Sequence, residues 1–129
     1  MKIPNRFIVV DDDTTNNLVC KYVIHRFNNN ADVQLFTDPE KALEIIKDSS
    51  ASAEVETVLF LDLNMPTMSG PEFLEEFENF NQDVQKQISI YILTASLDLG
   101  DRDRAERNVF VKGYLPKPLS METMNQIFG

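Results

Sequence analysis

Short apolar runs alternate along this chain with longer amphipathic segments, and this alternation restricts the possible folds more than any other feature. The runs have the length and composition of β-strands and occupy residues 7–10, 33–36, 58–61, 88–93 and 110–115, of which the second is weaker and the fifth is broken by Gly113. Five such strands alternating with five predicted helices are typical of a parallel sheet with helices on both faces. The sequence therefore predicts a doubly wound α/β fold, in one domain over residues 1–129.

Capping signals place the helices. Asp13 or Thr14 caps the first, Asp38 followed by Pro39 starts the second, and Pro71 opens the third. The other segments are a small-residue linker over 49–56, a polar helix over 98–108 and a short last helix capped by Ser120. Apolar residues recur at helical spacing in the first helix (Leu18, Val19, Tyr22, Val23, Phe27) and point inward in the third (Phe73, Leu74, Phe77, Phe80).

The composition argues against two classes of partner. Among 129 residues, 12 are basic and 21 acidic, a formal net charge of -9, so general attraction to nucleic acid or anionic lipid is not expected.

Cys20 is the only cysteine, which excludes an internal disulfide and suits a reducing compartment. No apolar run approaches the roughly 20 residues that span a bilayer, and the N-terminus lacks the apolar core of a signal peptide. We therefore expect a cytoplasmic protein.

Polar and charged residues follow four of the five predicted strands. In a parallel α/β sheet the carboxyl ends of the strands lie along one edge, where ligands bind. The first strand is followed by Asp11, Asp12 and Asp13, and the third by Asp62. The sequence thus predicts that two or three of these carboxylates meet the hydroxyl of Thr94 and the ammonium of Lys117. Clustered carboxylates repel one another, and Mg²⁺, which prefers oxygen ligands, relieves that repulsion. A lysine and a hydroxyl beside them are groups that bind phosphate oxygens, and a carboxylate can accept a phosphoryl group.

These residues lie in four short motifs that together resemble the receiver domain of response regulators in two-component signalling, most closely the single-domain chemotaxis type. The motifs are VVDDD at 9–13, LDLNMP at 61–66 with MSG at 68–70, LTA at 93–95, and GYLPKPL at 113–119. Each motif alone is weak evidence, but four in the right order at fitting spacings cover almost the whole chain. The resemblance implies a flavodoxin-like receiver fold with the strand order 2-1-3-4-5.

The resemblance also implies a role for each site residue. It makes Asp62 the phosphorylated aspartate and makes the Lys117–Pro118 peptide bond cis. The implied Mg²⁺ ligands are Asp12 directly, Asp11 through water, Asp62, and the backbone carbonyl of Asn64, with Mn²⁺ or Ca²⁺ as substitutes. The implied switch residues are Thr94 and Tyr114, and Lys117 is the lysine that contacts the phosphoryl group.

The function that the resemblance implies is a phosphorylation switch. A histidine kinase or a phosphotransfer protein supplies the phosphoryl group from a phosphohistidine, and the fourth helix, fifth strand and fifth helix then change their affinity for a downstream protein. Self-catalysed hydrolysis resets the switch, partly under control of Asn64 and Ser96. We expect a monomer or a phosphorylation-dependent dimer. The sequence NVFVK at 108–112 and Pro116 depart from the usual pattern and place the output face in question.

Two other functions fit parts of the sequence. The stretch DDDTT at 11–15 also resembles the signature of haloacid dehalogenase-type phosphatases, with Asp11 as nucleophile and Asp13 as general acid. The chain is short for that family, and Ala105 stands where a late acidic residue is expected. A receiver-like module that never uses phosphate would lack an acid, the threonine or the lysine, and this sequence has all of them.

Several conspicuous residues have simpler interpretations. Asp13 is interpreted as a helix cap, and Cys20 as a core residue. His25 lies in the middle of the first helix, where a packing or surface role is favoured over a phosphorelay role. The third helix also carries four acidic residues, which are Glu72, Glu75, Glu76 and Glu78. They are interpreted as a face of the helix exposed to solvent.

Overall fold

Five strands form one parallel sheet in the order β2-β1-β3-β4-β5. The computed structural model describes residues 4–48, 56–63, 65–95 and 107–129. The strands are β1 (Arg6–Val10), β2 (Asp32–Phe36), β3 (Thr57–Leu61), β4 (Ile88–Thr94) and β5 (Val111–Pro116). The predicted doubly wound α/β fold and its strand order are therefore confirmed.

Five helices are described, each with a local cause in the sequence. They are α1 (Thr14–Phe27), α2 (Pro39–Asp48), α3 (Gly70–Glu78), α4 (Gln82–Gln87) and α5 (Met121–Phe128). The predicted caps are observed: the Asp13 side chain accepts hydrogen bonds at the start of α1, and Ser120 caps α5. Ser69 and Glu72 form a capping box that fixes the start of α3 next to the loop after β3. The helix predicted over 98–108 falls almost entirely outside the described residues.

The third helix is shorter than the sequence predicts, and α4 follows where no helix was expected. Asn79 is the C-cap of α3, so Phe80 lies beyond the helix, although it still packs against the core. Asn81 then accepts a hydrogen bond from the amide of Asp83 at 2.8 Å and starts α4. The apolar spacing located the buried residues correctly, whereas two asparagines that favour helix ends divided the helix.

The sheet divides the core into two clusters because side chains alternate across each strand. Phe7 and Val9 of β1 face the cluster under α1 and α5, and Ile8 and Val10 face the cluster under α2 and α3. Cys20 lies in the first cluster and is fully buried, as predicted. Strand β3 is buried along its whole length, as expected of a central strand between two helical layers.

The edge strand β5 differs from its prediction at both ends. Phe110 precedes the strand, where its amide bonds to the Asn108 side chain at 2.9 Å. A register shift between Ile90 and Tyr91 follows, because Val111 and Gly113 pair with these consecutive residues of β4. At the other end the strand includes Pro116, a residue tolerated where one side of a strand has no neighbour.

Two of the apolar residues at helical spacing in α1 do not face the core. Leu18 and Tyr22 are 64% and 61% exposed, whereas Val23 is buried. The Tyr22 hydroxyl accepts a hydrogen bond from Arg26 at 3.1 Å, and the Arg26 guanidinium lies 5.8 Å from the ring centroid. The apolar residues at helical spacing in α1 therefore do not form a single buried face.

Candidate functional site

Three of the predicted site residues are fixed by backbone hydrogen bonds just beyond the strand ends. The Asp11 amide donates to the last residue of β2 at 3.0 Å, and the Asp62 amide to the last residue of β1 at 3.0 Å. The Lys117 amide donates to the carbonyl of Thr94 at 3.1 Å. Each residue thus continues the parallel hydrogen-bond ladder by one step, which brings segments distant in sequence to one edge of the sheet.

The three predicted carboxylates meet at this edge. Oxygens of Asp11, Asp12 and Asp62 all lie within 4.8 Å of one another. Asp11 and Asp62 are only 2% and 5% exposed, while Asp12 is exposed to solvent. An all-oxygen set with one open side fits Mg²⁺, which uses few carboxylates and keeps several waters.

Lys117 joins the two buried carboxylates. Its ammonium nitrogen lies 2.6 Å from Asp11 Oδ2 and 3.5 Å from Asp62 Oδ2. Burial of the ammonium lowers its pKa, but the hydrogen bond to Asp11 and the charge of Asp62 outweigh burial, so the pKa of Lys117 is raised above 10.5. The lysine is therefore charged at neutral pH and lies in contact with Asp62.

Two neighbouring asparagines that the sequence analysis did not select also contact Asp11. Asn16 Nδ2 donates to Asp11 Oδ2 at 2.6 Å. Asn17 is buried, and its Nδ2 donates to the backbone oxygen of Asp11 at 3.0 Å, with a longer 3.5 Å contact to that of Phe36. Their position in the first turn of a helix that begins at the site indicates that they lie near it, although it does not predict these contacts.

The remaining predicted site residues are placed as follows. Thr94 is buried at the end of β4, and Tyr114 is half-buried on β5 against the cluster under α2 and α3. The Lys117–Pro118 peptide bond is cis, as the resemblance implies. Asn64 and Ser96 lie outside the described residues.

The side chains of His25 and Asp13 have structural contacts away from the reacting groups. His25 Nε2 lies 3.0 Å from the backbone oxygen of Ala31. Asp13 Oδ1 accepts hydrogen bonds from the amides of Thr15 and Asn16, at 2.9 and 3.3 Å. These contacts agree with the packing and capping interpretations.

Comparison with known families identifies the chain. The model of the response regulator receiver domain matches residues 7–128. The chain belongs to this family. Receiver domains are the phosphoacceptor switches of two-component and phosphorelay signalling, so this chain is a receiver domain of such a system.

Individual relatives agree with that assignment. A two-component response regulator from Cytophaga hutchinsonii superimposes with a TM-score of 0.86 at 25% identity, over 99% of this chain and 96% of that one. The receiver domain of the response regulator Ssk1 from Saccharomyces cerevisiae, crystallised with the histidine phosphotransfer signaling protein Ypd1, gives a TM-score of 0.77 at 20% identity, over 99% and 88%. Hybrid signal transduction histidine kinase I of Dictyostelium discoideum is 22% identical over 127 residues, 98% of this chain but 7% of the kinase.

In the part of the chain that the structure describes, no helix combines the length and apolar character required to cross a bilayer.

Proposed function

We propose that Asp62 of this receiver domain accepts a phosphoryl group from a phosphohistidine, with the help of Mg²⁺, and that the modified domain binds a downstream protein differently. The observation that supports this most is the contact of Lys117 with both Asp62 and Asp11, in a cluster that also contains Asp12. A buried carboxylate with an ammonium in contact, and with an open acidic side that can hold a divalent cation, is suited to receive a dianionic phosphoryl group.

The transfer step balances with groups in the site and the donor. An oxygen of the Asp62 carboxylate forms a bond to phosphorus as the phosphorus–nitrogen bond of the phosphohistidine breaks. The donor imidazole leaves with the electron pair of that bond and takes up a proton from solvent. Lys117, which contacts Asp62 at 3.5 Å, neutralises part of the charge on the transferred oxygens. Attack of water on phosphorus later releases inorganic phosphate and restores the carboxylate.

The acidic cluster is the proposed cation site. Asp12, Asp62 and the backbone carbonyl of Asn64 would hold Mg²⁺, with Asp11 acting through water, and Mn²⁺ or Ca²⁺ would substitute. When bound, the cation supplies positive charge that offsets three neighbouring carboxylates and the incoming phosphoryl oxygens.

Phosphorylation is proposed to act on two residues near the ends of β4 and β5. The Thr94 hydroxyl is buried at the end of β4 and would donate a hydrogen bond to a phosphoryl oxygen. Tyr114 is half-buried on the edge strand and would turn further inward, which changes the surface that β5 and its neighbouring helices present.

The proposed phosphodonor is a histidine kinase or a histidine phosphotransfer protein of the cytoplasm. Two comparisons support this class of partner: one relative is a receiver crystallised with a phosphotransfer protein, and another is a hybrid histidine kinase. We propose that the receiver of residues 1–129 acts as a monomer, or as a dimer that forms on phosphorylation. Neither nucleic acid nor membrane is a proposed partner of a domain with a net charge of -9.

Labelling with a small phosphodonor such as acetyl phosphate tests the proposal. Intact mass should show one added phosphoryl group in the presence of Mg²⁺ and almost none after chelation. Asp62→Asn should abolish labelling, because the amide is not a nucleophile for phosphorus. Asp32→Asn is the matched control, since it makes the same change at an exposed residue where β2 begins.

Peptide mapping of the labelled protein separates the proposal from the phosphatase alternative. A phosphoryl group trapped on Asp11 would overturn the assignment of Asp62. So would full labelling of the Asp62→Asn variant. The capping contacts of Asp13, which use the carboxylate that a phosphatase would need as its general acid, favour the receiver mechanism.

A further inference from the structure

Asn16 is held between Asp11 and the core by its side-chain amide. Its Nδ2 donates to Asp11 Oδ2 at 2.6 Å and lies 3.7 Å from the sulfur of Cys20, which is fully buried. The amide nitrogen has two hydrogens, and each of them has a partner. This pair of contacts fixes the nitrogen, and not the oxygen, toward the Asp11 carboxylate.

Three donors share the Asp11 carboxylate, and they differ in mobility. Oδ1 accepts from the backbone amide of Asp13 at 2.9 Å, and Oδ2 accepts from both Asn16 and Lys117 at 2.6 Å. Lys117 carries its charge on a flexible four-carbon stem and also contacts Asp62. Asn16 is short and lies in the first turn of α1, where its own backbone amide bonds to the Asp13 side chain at 3.3 Å.

The three donors respond differently to phosphorylation. A phosphoryl group on Asp62 brings more negative charge to the ammonium of Lys117 than Asp11 offers, so the lysine is drawn toward it. Asp11 Oδ2 then keeps Asn16 as its side-chain partner. A carboxylate held at both oxygens loses little rotational freedom when a cation and its waters bind.

We propose that Asn16 is a positioning residue, whose amide holds the Asp11 carboxylate in place for the divalent cation both before phosphorylation and after Lys117 turns to the phosphoryl group. The inference rests on the proposed function of Asp62 and adds to it a determinant of cation affinity. Groups that orient the residues around a bound metal commonly change its affinity by about 10–100-fold. Because Asp11 acts through water, the lower end of that range is expected.

The test is a Mg²⁺ titration of the full chain, followed by backbone amide NMR shifts in the absence of any phosphodonor. Asn16→Ala should raise the Kd for Mg²⁺ about tenfold, and Asn16→Gln, which keeps an amide donor, should recover part of the loss. Thr15→Ala is the matched control in the same helical turn, since the Thr15 side chain is exposed. Thermal unfolding without Mg²⁺ should show all of these variants folded, because Asn16 is partly exposed and alanine favours helix.

A double-mutant cycle separates positioning from a general structural effect. In an Asp11→Ala background, replacing Asn16 should leave the Kd for Mg²⁺ unchanged, since the carboxylate that it orients is gone. Equal Kd values for wild type and Asn16→Ala would overturn the inference, as would an undiminished tenfold effect in the Asp11→Ala background. Absence of Asp62 labelling in the wild type would instead refute the proposed function, because the titration needs no phosphodonor.

Discussion

Cys20 shows how closely the core approaches the site. Its sulfur is fully buried and contacts Asn16, which in turn contacts Asp11. Burial is the main cause that raises the pKa of the Cys20 thiol from 9.0 to about 12, and the negative charge of Asp11 adds to it. The thiol therefore stays protonated in the folded protein at every physiological pH.

This raised pKa makes a prediction about stability at high pH. The folded state holds the Cys20 proton more tightly than the unfolded state, so its contribution is fully present below pH 9.0 and is lost as pH rises to about 12. Urea unfolding should show the free-energy difference between wild type and Cys20→Ala shrinking by about 1.4 kcal/mol per pH unit within that window. A difference that stays constant from pH 8 to about 11 would contradict the prediction.

Most single residues of the site were predictable, and the exceptions have a physical reason. Asp11, Asp62 and Lys117 follow strands directly, and the topology of a parallel sheet brings such residues together. Asn16 lies in the first turn of α1 and contacts Asp11, which precedes that helix in the chain. No periodicity marks such a contact, because it depends on the angle at which α1 leaves the sheet.

At the scale of elements, the junction between β3 and α3 depends on the absence of a side chain at Gly70. A Cβ there would lie 2.6 Å from Leu63 Cδ2 and 3.0 Å from Leu63 Cα, and 3.4 Å from the backbone oxygen of Asp62. The Gly70 amide also donates to the Leu63 carbonyl at 2.9 Å. The capped start of α3 is therefore packed against the segment that carries the proposed phosphoacceptor.

We expect Gly70→Ala to destabilise the domain by about 1–3 kcal/mol, because backbone atoms as well as a side chain must move. Acetyl phosphate labelling of Asp62 should also slow, since the displaced segment contains it. Gly113→Ala is the control: there the new Cβ meets only the edge of the Tyr91 ring, at 3.1 and 3.3 Å, and a half-buried ring can shift. Urea unfolding that ranks Gly113→Ala as the more destabilising variant would contradict this account.

The exposed face of α1 provides a second prediction at this scale. Leu18 lies about 6 Å along the helix axis from Thr14, given a rise of about 1.5 Å per residue, and Tyr22 lies one turn further. A donor protein that brings its phosphohistidine to Asp62 must cover the rim of the site, and apolar side chains there would be buried by it.

Replacing Leu18 and Tyr22 by alanine should therefore slow transfer from a phosphorylated phosphotransfer protein by tenfold or more, about 1.4 kcal/mol. Labelling by acetyl phosphate should not change, because a small donor needs no docking surface. Ile45→Ala is the control, as it removes a partly exposed apolar side chain from α2. Equal slowing with both donors would show that the variant damages the site and not a docking surface.

The elements themselves were predicted well where the apolar pattern is strong. Each strand begins and ends within one residue of its expected position. For the buried strand β3 the reason is an uninterrupted apolar run, whereas the partly exposed edge strands β2 and β5 also contain polar residues. The break between α3 and α4 was missed, because an asparagine can lie within a helix or cap its end. In the structure Asn79 caps the end of α3 and Asn81 caps the start of α4. The exposure of Leu18 and Tyr22 could not be predicted, because helical spacing alone does not show which apolar residues of a helix face the core.

At the scale of the whole molecule, the charge of the site opposes folding in the absence of a cation. Among the described residues, three carboxylates face one ammonium at the sheet edge, in a chain whose formal net charge is -9. Their repulsion is present in the folded state and largely relieved in the unfolded chain. The order of the strands creates this cost, because it brings the ends of β1 and β3 side by side.

Mg²⁺ should therefore stabilise the folded receiver, and the size of the effect follows from mass action. At a Mg²⁺ concentration ten times Kd, the free energy of unfolding should rise by about 1.4 kcal/mol, measured by urea unfolding against KCl of equal ionic strength. Without Mg²⁺, the Asp12→Ala variant should have a higher free energy of unfolding than wild type, because one repelling carboxylate is gone. Addition of Mg²⁺ should hardly change the free energy of unfolding of this variant. If Mg²⁺ stabilised the Asp12→Ala variant as much as the wild type, the cation would be acting by screening of the whole charge and not at the cluster of Asp11, Asp12 and Asp62.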